Sequence, residues 1–399
     1  MKNIKHALAL GITVALTACG GGGSSSSSTP TDTSSTPTGS TTPTSSTTPT
    51  NSTTSTNTTT PTLSNVYAYF GDTTKTQLLQ YALDTSGALT TTSMPPVAAG
   101  KKVVGFKIDS AGKYAYAISD ALYQYTVGAN GILQPTSTTV LPTTLTTNRT
   151  PTTLAISPNG KYVYVGDSVS LLQYAVGSDG SLSLIGTATN LPSTSISLDP
   201  TGQHLFAVEG GSYSDTGVST NTVSEYSIGS DGVVNTKALI TVPVHGGYID
   251  NFMIDPHDSY ASFTYCQFSQ CSASVYTIDS TGTLTTQGNN VLLAGNEASM
   301  AIDATGTYAY VLNESVSDTL STYLISAPNK LSLITSTSVP VSSDSILIDP
   351  TNKNLYVHEN GGSVIQFTMG TNGALTQASV SPAATSPTLL YSSQLFAIH

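Results

Sequence analysis

Leu154-Ala-Ile-Ser-Pro-Asn-Gly-Lys-Tyr-Val-Tyr-Val165, continued by Leu172-Gln-Tyr-Ala-Val-Gly-Ser-Asp-Gly-Ser-Leu182, spells out the structural unit from which most of this chain is built. An alternating apolar run enters a turn at 157–160, a Tyr-rich run leaves it, and a third run reaches a second turn at 177–180. Apolar residues at every second position mark half-buried strands, and Pro, Asn, Asp and Gly mark the reversals between them. The first turn recurs six times, starting at Asp109, Ser157, Asp199, Asp255, Asp303 and Asp349, at intervals of 42 to 56 residues. Short strands repeating with such a period are the signature of β-propeller blades. Each turn ends on Gly, Asn or Asp, where a positive φ is expected.

The two turn families differ in number, and the difference predicts how the ring closes. The second turn ends seven times, at Gly87, Gly131, Gly180, Gly232, Gly282, Asn329 and Gly373, against six copies of the first. The unit lacking the first turn is the N-terminal one, which opens directly on the Tyr-rich run at 66–70. Its missing inner strand is expected from residues 388–398. The reading is an all-β, seven-bladed propeller of four-stranded antiparallel blades, closed by the C-terminal strand so that no edge is left open.

Residues 1–18 are read as a signal peptide. Lys2 and Lys5 precede an apolar run at 7–16, and Leu16-Thr-Ala-Cys19 is a lipobox. The run is too short for a permanent span, so the membrane is reached only through acyl chains, palmitate among them, on Cys19. Gly20 rather than Asp after Cys19 resembles the outer-membrane sorting pattern, which places the protein on the periplasmic side or at the cell surface. Residues 19–62 consist almost entirely of Gly, Ser, Thr, Pro and Asn. Such a segment buries nothing and serves as a disordered tether. About 40 residues of it reach roughly 35 Å in root-mean-square terms.

Residues 63–399 form the propeller, which is expected to be monomeric. They hold ten Lys and Arg against twenty-two Asp and Glu. That balance excludes nucleic acid as a partner and disfavours anionic lipid headgroups. Besides Cys19 the chain has only Cys266 and Cys271, in Tyr265-Cys-Gln-Phe-Ser-Gln-Cys271. In an oxidising compartment they are expected to form a disulfide clipping a loop of blade five. A metal or redox pair is the alternative, but the spacing is not CxxC.

The repeat quoted above resembles the seven-bladed lactonase family, which includes 6-phosphogluconolactonases and carboxymuconate-cyclising enzymes, over residues 66–399. The resemblance implies a site at one mouth of the central channel, built from loops entering the inner strands and leaving the second strands. Of the family's pattern, Asn-Glu is matched by Asn313 and Glu314. The Arg-His position reads Ala298-Ser299, an earlier His position reads Asp250, and a later Arg position reads Asn360. The one arginine of the chain, Arg149, lies in a different blade.

The position just after each second strand holds Asp72, Ser119, Asp167, Glu209, Tyr265, Asn313 and Glu359, with Asp120 one residue beyond Ser119. Two readings stand. These acids cap strand ends, or Asp72, Asp120, Asp167, Glu209 and Glu359 converge on a channel mouth that binds a glycan, small molecule or protein. No cofactor is expected, and no contiguous calcium-loop motif supports a divalent cation there. His245, in Val244-His-Gly-Gly-Tyr248, is the neutral base closest to this mouth in the repeat. His204 and His358 are read as structural. The chain is therefore expected to be a lipid-anchored binding module with a mostly acidic mouth. The alternative is a lactone hydrolase using His245, Glu314, Asp250 and Arg149, because ring opening needs an oxyanion stabiliser and a proton carrier.

Overall fold

The computed structural model describes residues 66–398, interrupted mainly at 140–150, 210–219 and 379–392 and at shorter loop segments. The signal sequence, Cys19, the tether and Arg149 lie outside the described residues, as do turn positions Asp258, Gly282 and Asn329. Every regular element among the described residues is a strand, and no helix is long and apolar enough to cross a membrane. The strands form seven antiparallel sheets, one per blade. The inner strands are Ser393–Ile398, Gly105–Ile108, Thr153–Ile156, Ser195–Leu198, Tyr248–Ile254, Glu297–Ile302 and Ser343–Ile348 for blades one to seven. Each touches the next and the last touches the first, so the ring is closed.

Blade one is split as the turn counts predict. Its Ser393–Ile398 strand pairs with Tyr67–Asp72, with Ala397 opposite Tyr69 and Gln394 opposite Gly71. Apolar clusters fill the spaces between adjacent blades. At the closing seam Leu347, Tyr356 and Val364 of blade seven pack against Phe70, Tyr81 and Leu83 of blade one.

The abundance of Tyr has a specific cause. In blades one, two and three a Tyr-x-Tyr pair near the start of the second strand grips the second turn of the following blade. The hydroxyls of Tyr69 and Tyr164 donate to the carbonyls of Gly131 (2.7 Å) and Gly232 (2.9 Å). The partner Tyr162 lies flat on Gly232, where an added Cβ would meet its ring at 2.2 Å. With φ near +81° at Gly232, glycine is required there for conformation as well as for space. Tyr356 donates to the Gly87 carbonyl at 2.7 Å and carries the same grip across the closing seam. Burial raises the pKa of Tyr69, Tyr164 and Tyr356, so these phenols remain donors.

A Gln on the third strand adds a second grip. Gln80 Oε1 accepts from the Leu133 amide of blade two at 2.7 Å, and Gln173 Oε1 from the Val234 amide of blade four at 2.6 Å. Blade four replaces this set by His204 and Glu225, joined through Nδ1 and Oε1 at 2.7 Å. His204 therefore stands in the place of Tyr162 and is structural, as expected. Glu225 is fully buried, and burial raises its pKa, partly opposed by His204. A raised carboxyl favours the fold at low pH, and that contribution is lost as pH rises through the folded-state pKa. Glu225→Gln restores the residue type of blades one and three. It should leave acid stability nearly unchanged and raise the melting temperature near pH 7, measured by thermal denaturation at both pH values. A variant less stable than the parent at neutral pH would contradict this account.

Blade five departs from four strands. Its outer position is divided into Leu284–Gln287 and Val291–Ala294, both paired to Gln270–Ile278. Gly288, Asn289 and Asn290, poor strand formers, fall at the break. Cys266 and Cys271 face each other across the hairpin of Tyr260–Gln267 and Gln270–Ile278 and form the expected disulfide, with Cα atoms 3.9 Å apart.

Candidate functional site at the channel mouth

Each inner strand runs from the mouth down to the first turn, so residues early in inner strands and late in second strands share the mouth end. The acids singled out from the repeat divide there. Asp167 is buried and its Oδ1 accepts the Val169 and Ser170 amides, both at 2.7 Å. Asp120 is exposed and accepts from the Lys101 amide at 3.3 Å and the Tyr123 hydroxyl at 3.1 Å. Partial burial opposes its ionisation, yet these donors hold its carboxyl below the usual range. Glu209 is exposed and accepts from the Thr222 hydroxyl at 3.2 Å. These are the bonds of strand-end caps. Glu359 is half-buried at the end of Asn354–Glu359, and Asp72 ends Tyr67–Asp72 with its side chain outside the described residues.

The catalytic candidates are only partly brought together. Glu314 ends Tyr308–Glu314 of blade six, half-buried, in register with Glu297 of that blade's inner strand. Asp250 sits at a bulge of the blade-five inner strand, between Ile249 and Asn251. His245 is the last residue of Ile240–His245, the outer strand of blade four, and its backbone pairs with Thr220 rather than lying in a loop. Side chains of Asp250 and His245 lie outside the described residues, as does Asn360. Ala298 and Ser299, at the Arg-His position, are buried strand residues in ladder pairing with Asn313 and Leu312. Among the described residues no three His, Cys, Asp or Glu side chains form a metal-binding group.

A pair that sequence reasoning missed occupies the mouth end of blade seven. His358 Nδ1 lies 2.7 Å from Asp344 Oδ1. Asp344 sits at a bulge between Ser343 and Ser345, the same place in the repeat as Asp250 in blade five. Such bulges re-aim side chains next to functional sites. His358 is fully buried against the Phe70 ring, with centroids 5.9 Å apart, whereas the Asp344 side chain keeps 15% of its surface exposed. The Ser345 hydroxyl also donates to Oδ1, at 3.0 Å. Both bonds converge on one oxygen and leave Oδ2 for solvent or ligand.

The entry to this strand is fixed from blade six. Buried Asp318 accepts the Ser315 amide through Oδ1 at 2.8 Å and the Ser343 amide through Oδ2 at 2.9 Å. The spacing from Asp344 to Asp349 equals that from Asp250 to Asp255, so aligning the repeats singles out Asp344. Nothing local marks His358 as its partner.

The mouth is also less uniformly acidic than the residue types suggested. Lys101 and Lys102 are exposed on the loop entering the blade-two inner strand, where the Lys102 amide donates to Ser119 Oγ at 3.0 Å.

No family model and no curated protein matches this sequence. Solved structures do match in fold. The periplasmic gluconolactonase of Pseudomonas aeruginosa is 16% identical with a TM-score of 0.64, over 84% of this chain and 98% of that one. A Bacteroides uniformis protein named "putative 6-phosphogluconolactonase" is 14% identical with a TM-score of 0.63, over 84% and 99% of the two chains. A hypothetical selenium-binding protein of Sulfolobus tokodaii is 9% identical with a TM-score of 0.60, over 84% and 93%. One architecture thus carries unrelated names, and chemistry must be argued from the site. By fold, this chain is a seven-bladed propeller of the kind found in 6-phosphogluconolactonase-like proteins.

Proposed function

We propose that the protein opens uncharged sugar lactones at its channel mouth, outside the cytoplasm. The observation that carries this reading is the Asp344–His358 pair, with one carboxylate oxygen held and the other presented. In the proposed step a water oxygen bonds the lactone carbonyl carbon while Asp344 takes its proton. The ring C–O bond then breaks, and the proton returns to the departing alkoxide. Glu314, in the adjoining blade, is a second proton carrier. An uncharged substrate fits better than a phosphorylated one, because phosphate recognition favours bidentate Arg and the family's Arg-His place holds Ala298-Ser299.

The test is hydrolysis of a panel of aldonolactones, with a 6-phosphorylated lactone as one arm and calcium as another. Turnover of neutral lactones indifferent to calcium supports the reading. Binding without turnover replaces it by the binding-module reading.

Placement of the protein on a lipid anchor rests on the lipobox at Cys19, and the periplasmic gluconolactonase among its structural neighbours supports the compartment. Cys19→Ser should abolish incorporation of a palmitate analogue and release the protein from the membrane fraction. Undiminished labelling would refute the anchor.

A further inference from the structure

The two proton carriers of the proposed reaction come from different blades. Glu314 ends the second strand of blade six, and Asp344 sits at the bulge near the start of the blade-seven inner strand. One buried carboxylate joins the backbone beside both of them. Asp318 Oδ1 accepts the amide of Ser315, the residue directly after Glu314, at 2.8 Å. Its Oδ2 accepts the amide of Ser343, the residue directly before Asp344, at 2.9 Å. Asp318 is 1% exposed and Ser343 is fully buried, so both bonds lie in a low-dielectric setting that strengthens them. The connecting segment is tied as well. The Asp318 carbonyl accepts the Val339 amide at 3.0 Å, and the Ser343 hydroxyl donates to the Pro340 carbonyl at 2.8 Å.

The seam between blades six and seven needs such a tie. In blades one and three the Gln opposite the gripping Tyr bonds the next blade. Blade six carries Thr322 in that register, opposite Tyr310, and its buried hydroxyl meets no partner among the described residues. Away from the mouth this seam is held by apolar side chains, Leu312 and Leu320 with Ile346 and Val357, and by the Tyr308 hydroxyl, 3.4 Å from the Thr371 carbonyl. Apolar packing is non-directional and fixes a spacing loosely, whereas hydrogen bonds to the two oxygens of one carboxylate fix it closely. Asp167 Oδ1 in blade three holds the Val169 and Ser170 amides of its own hairpin. The two oxygens of Asp318 hold two blades.

We propose that Asp318 is a positioning residue that sets the separation of Glu314 and Asp344, so that both act on one ligand at the mouth. The reaction it serves rests on the proposed function, whereas the bridge between the blades does not. Asn in its place keeps the volume and one acceptor but turns an N–H donor towards the other amide. That arm of the bridge then opens, while the apolar seam keeps the two blades folded together.

The experiment compares the parent, Asp318→Asn and Asp318→Ser, with melting curves run to establish that each folds. Amide hydrogen exchange in peptides covering 313–318 and 340–346 should be about tenfold faster or more in both variants. With glucono-δ-lactone, kcat should fall roughly 10- to 100-fold and KM should stay within about twofold, because misplacing reacting groups by about 1 Å costs on that order. Asp318→Asn combined with Asp344→Asn should cost no more than Asp344→Asn alone. Unchanged exchange, unchanged turnover despite faster exchange, or additive losses in the double variant would overturn the proposal. Failure of both variants to fold would overturn it too, by making Asp318 a residue of the fold. A parent that does not turn the lactone over refutes the hydrolase reading by itself. The positioning role is then scored by calorimetry, where Asp318→Asn should bind glucono-δ-lactone at least about tenfold more weakly. Equal affinity in parent and variant, or binding by neither, would overturn it.

Discussion

Deletion of residues 388–399 is expected to abolish cooperative folding of the propeller. The cut removes the Ser393–Ile398 strand and with it the whole ladder to Tyr67–Asp72. It also removes the element that touches the inner strands of both blade two and blade seven. The ring would then be open where Tyr356 reaches the Gly87 carbonyl and where Leu347 packs with Phe70. Ladder bonds contribute about 1 kcal/mol each and buried side chains about 2, so the loss amounts to several kcal/mol. Domain stabilities are only about 5–15 kcal/mol. The exposed strand edge would in addition promote pairing between chains. Thermal denaturation followed by circular dichroism should show a broad transition or aggregation in place of a sharp one. A truncated protein that melts sharply within a few degrees of the parent would disprove terminal closure.

The second large effect concerns the mouth. Asp344→Asn keeps shape and removes the proton acceptor, so lactone turnover should fall on the order of 100-fold or more. His358→Gln should cost less, because His358 is buried and acts by holding Asp344. The double variant should cost no more than Asp344→Asn alone, since the two residues act as one unit. Melting temperatures of all three separate chemistry from folding, a needed control because His358 also packs on Phe70. Near-parental turnover in folded Asp344→Asn would remove the pair from the mechanism. Additive losses in the double variant would reject the positioning role of His358.

The residues differ in how far the chain alone reveals them. The period of the Asp- and Gly-ended turns and the Cys266–Cys271 hairpin were legible because each follows from contacts between residues close in sequence, and the split first blade was legible because the two turn families differ in number. Positive φ is observed at Gly87, Gly112 and Asn352, where turn chemistry requires it. The family resemblance singled out Asp250, and Asp344 occupies the identical place in its own repeat. What faces them was not legible. Thr264 and Tyr265 lie across the ladder from the Asp250 bulge, whereas His358 and Glu359 lie across from the Asp344 bulge. His204 carries the same residue type as His358, yet it pairs with Glu225 inside a seam between blades. By itself the sequence determined the number of blades, their strand order and the closure, since turn geometry and alternation act locally and repeat. Only the tertiary structure decided which histidine meets which carboxylate, because those energies depend on bulges and on packing between blades that no local pattern records.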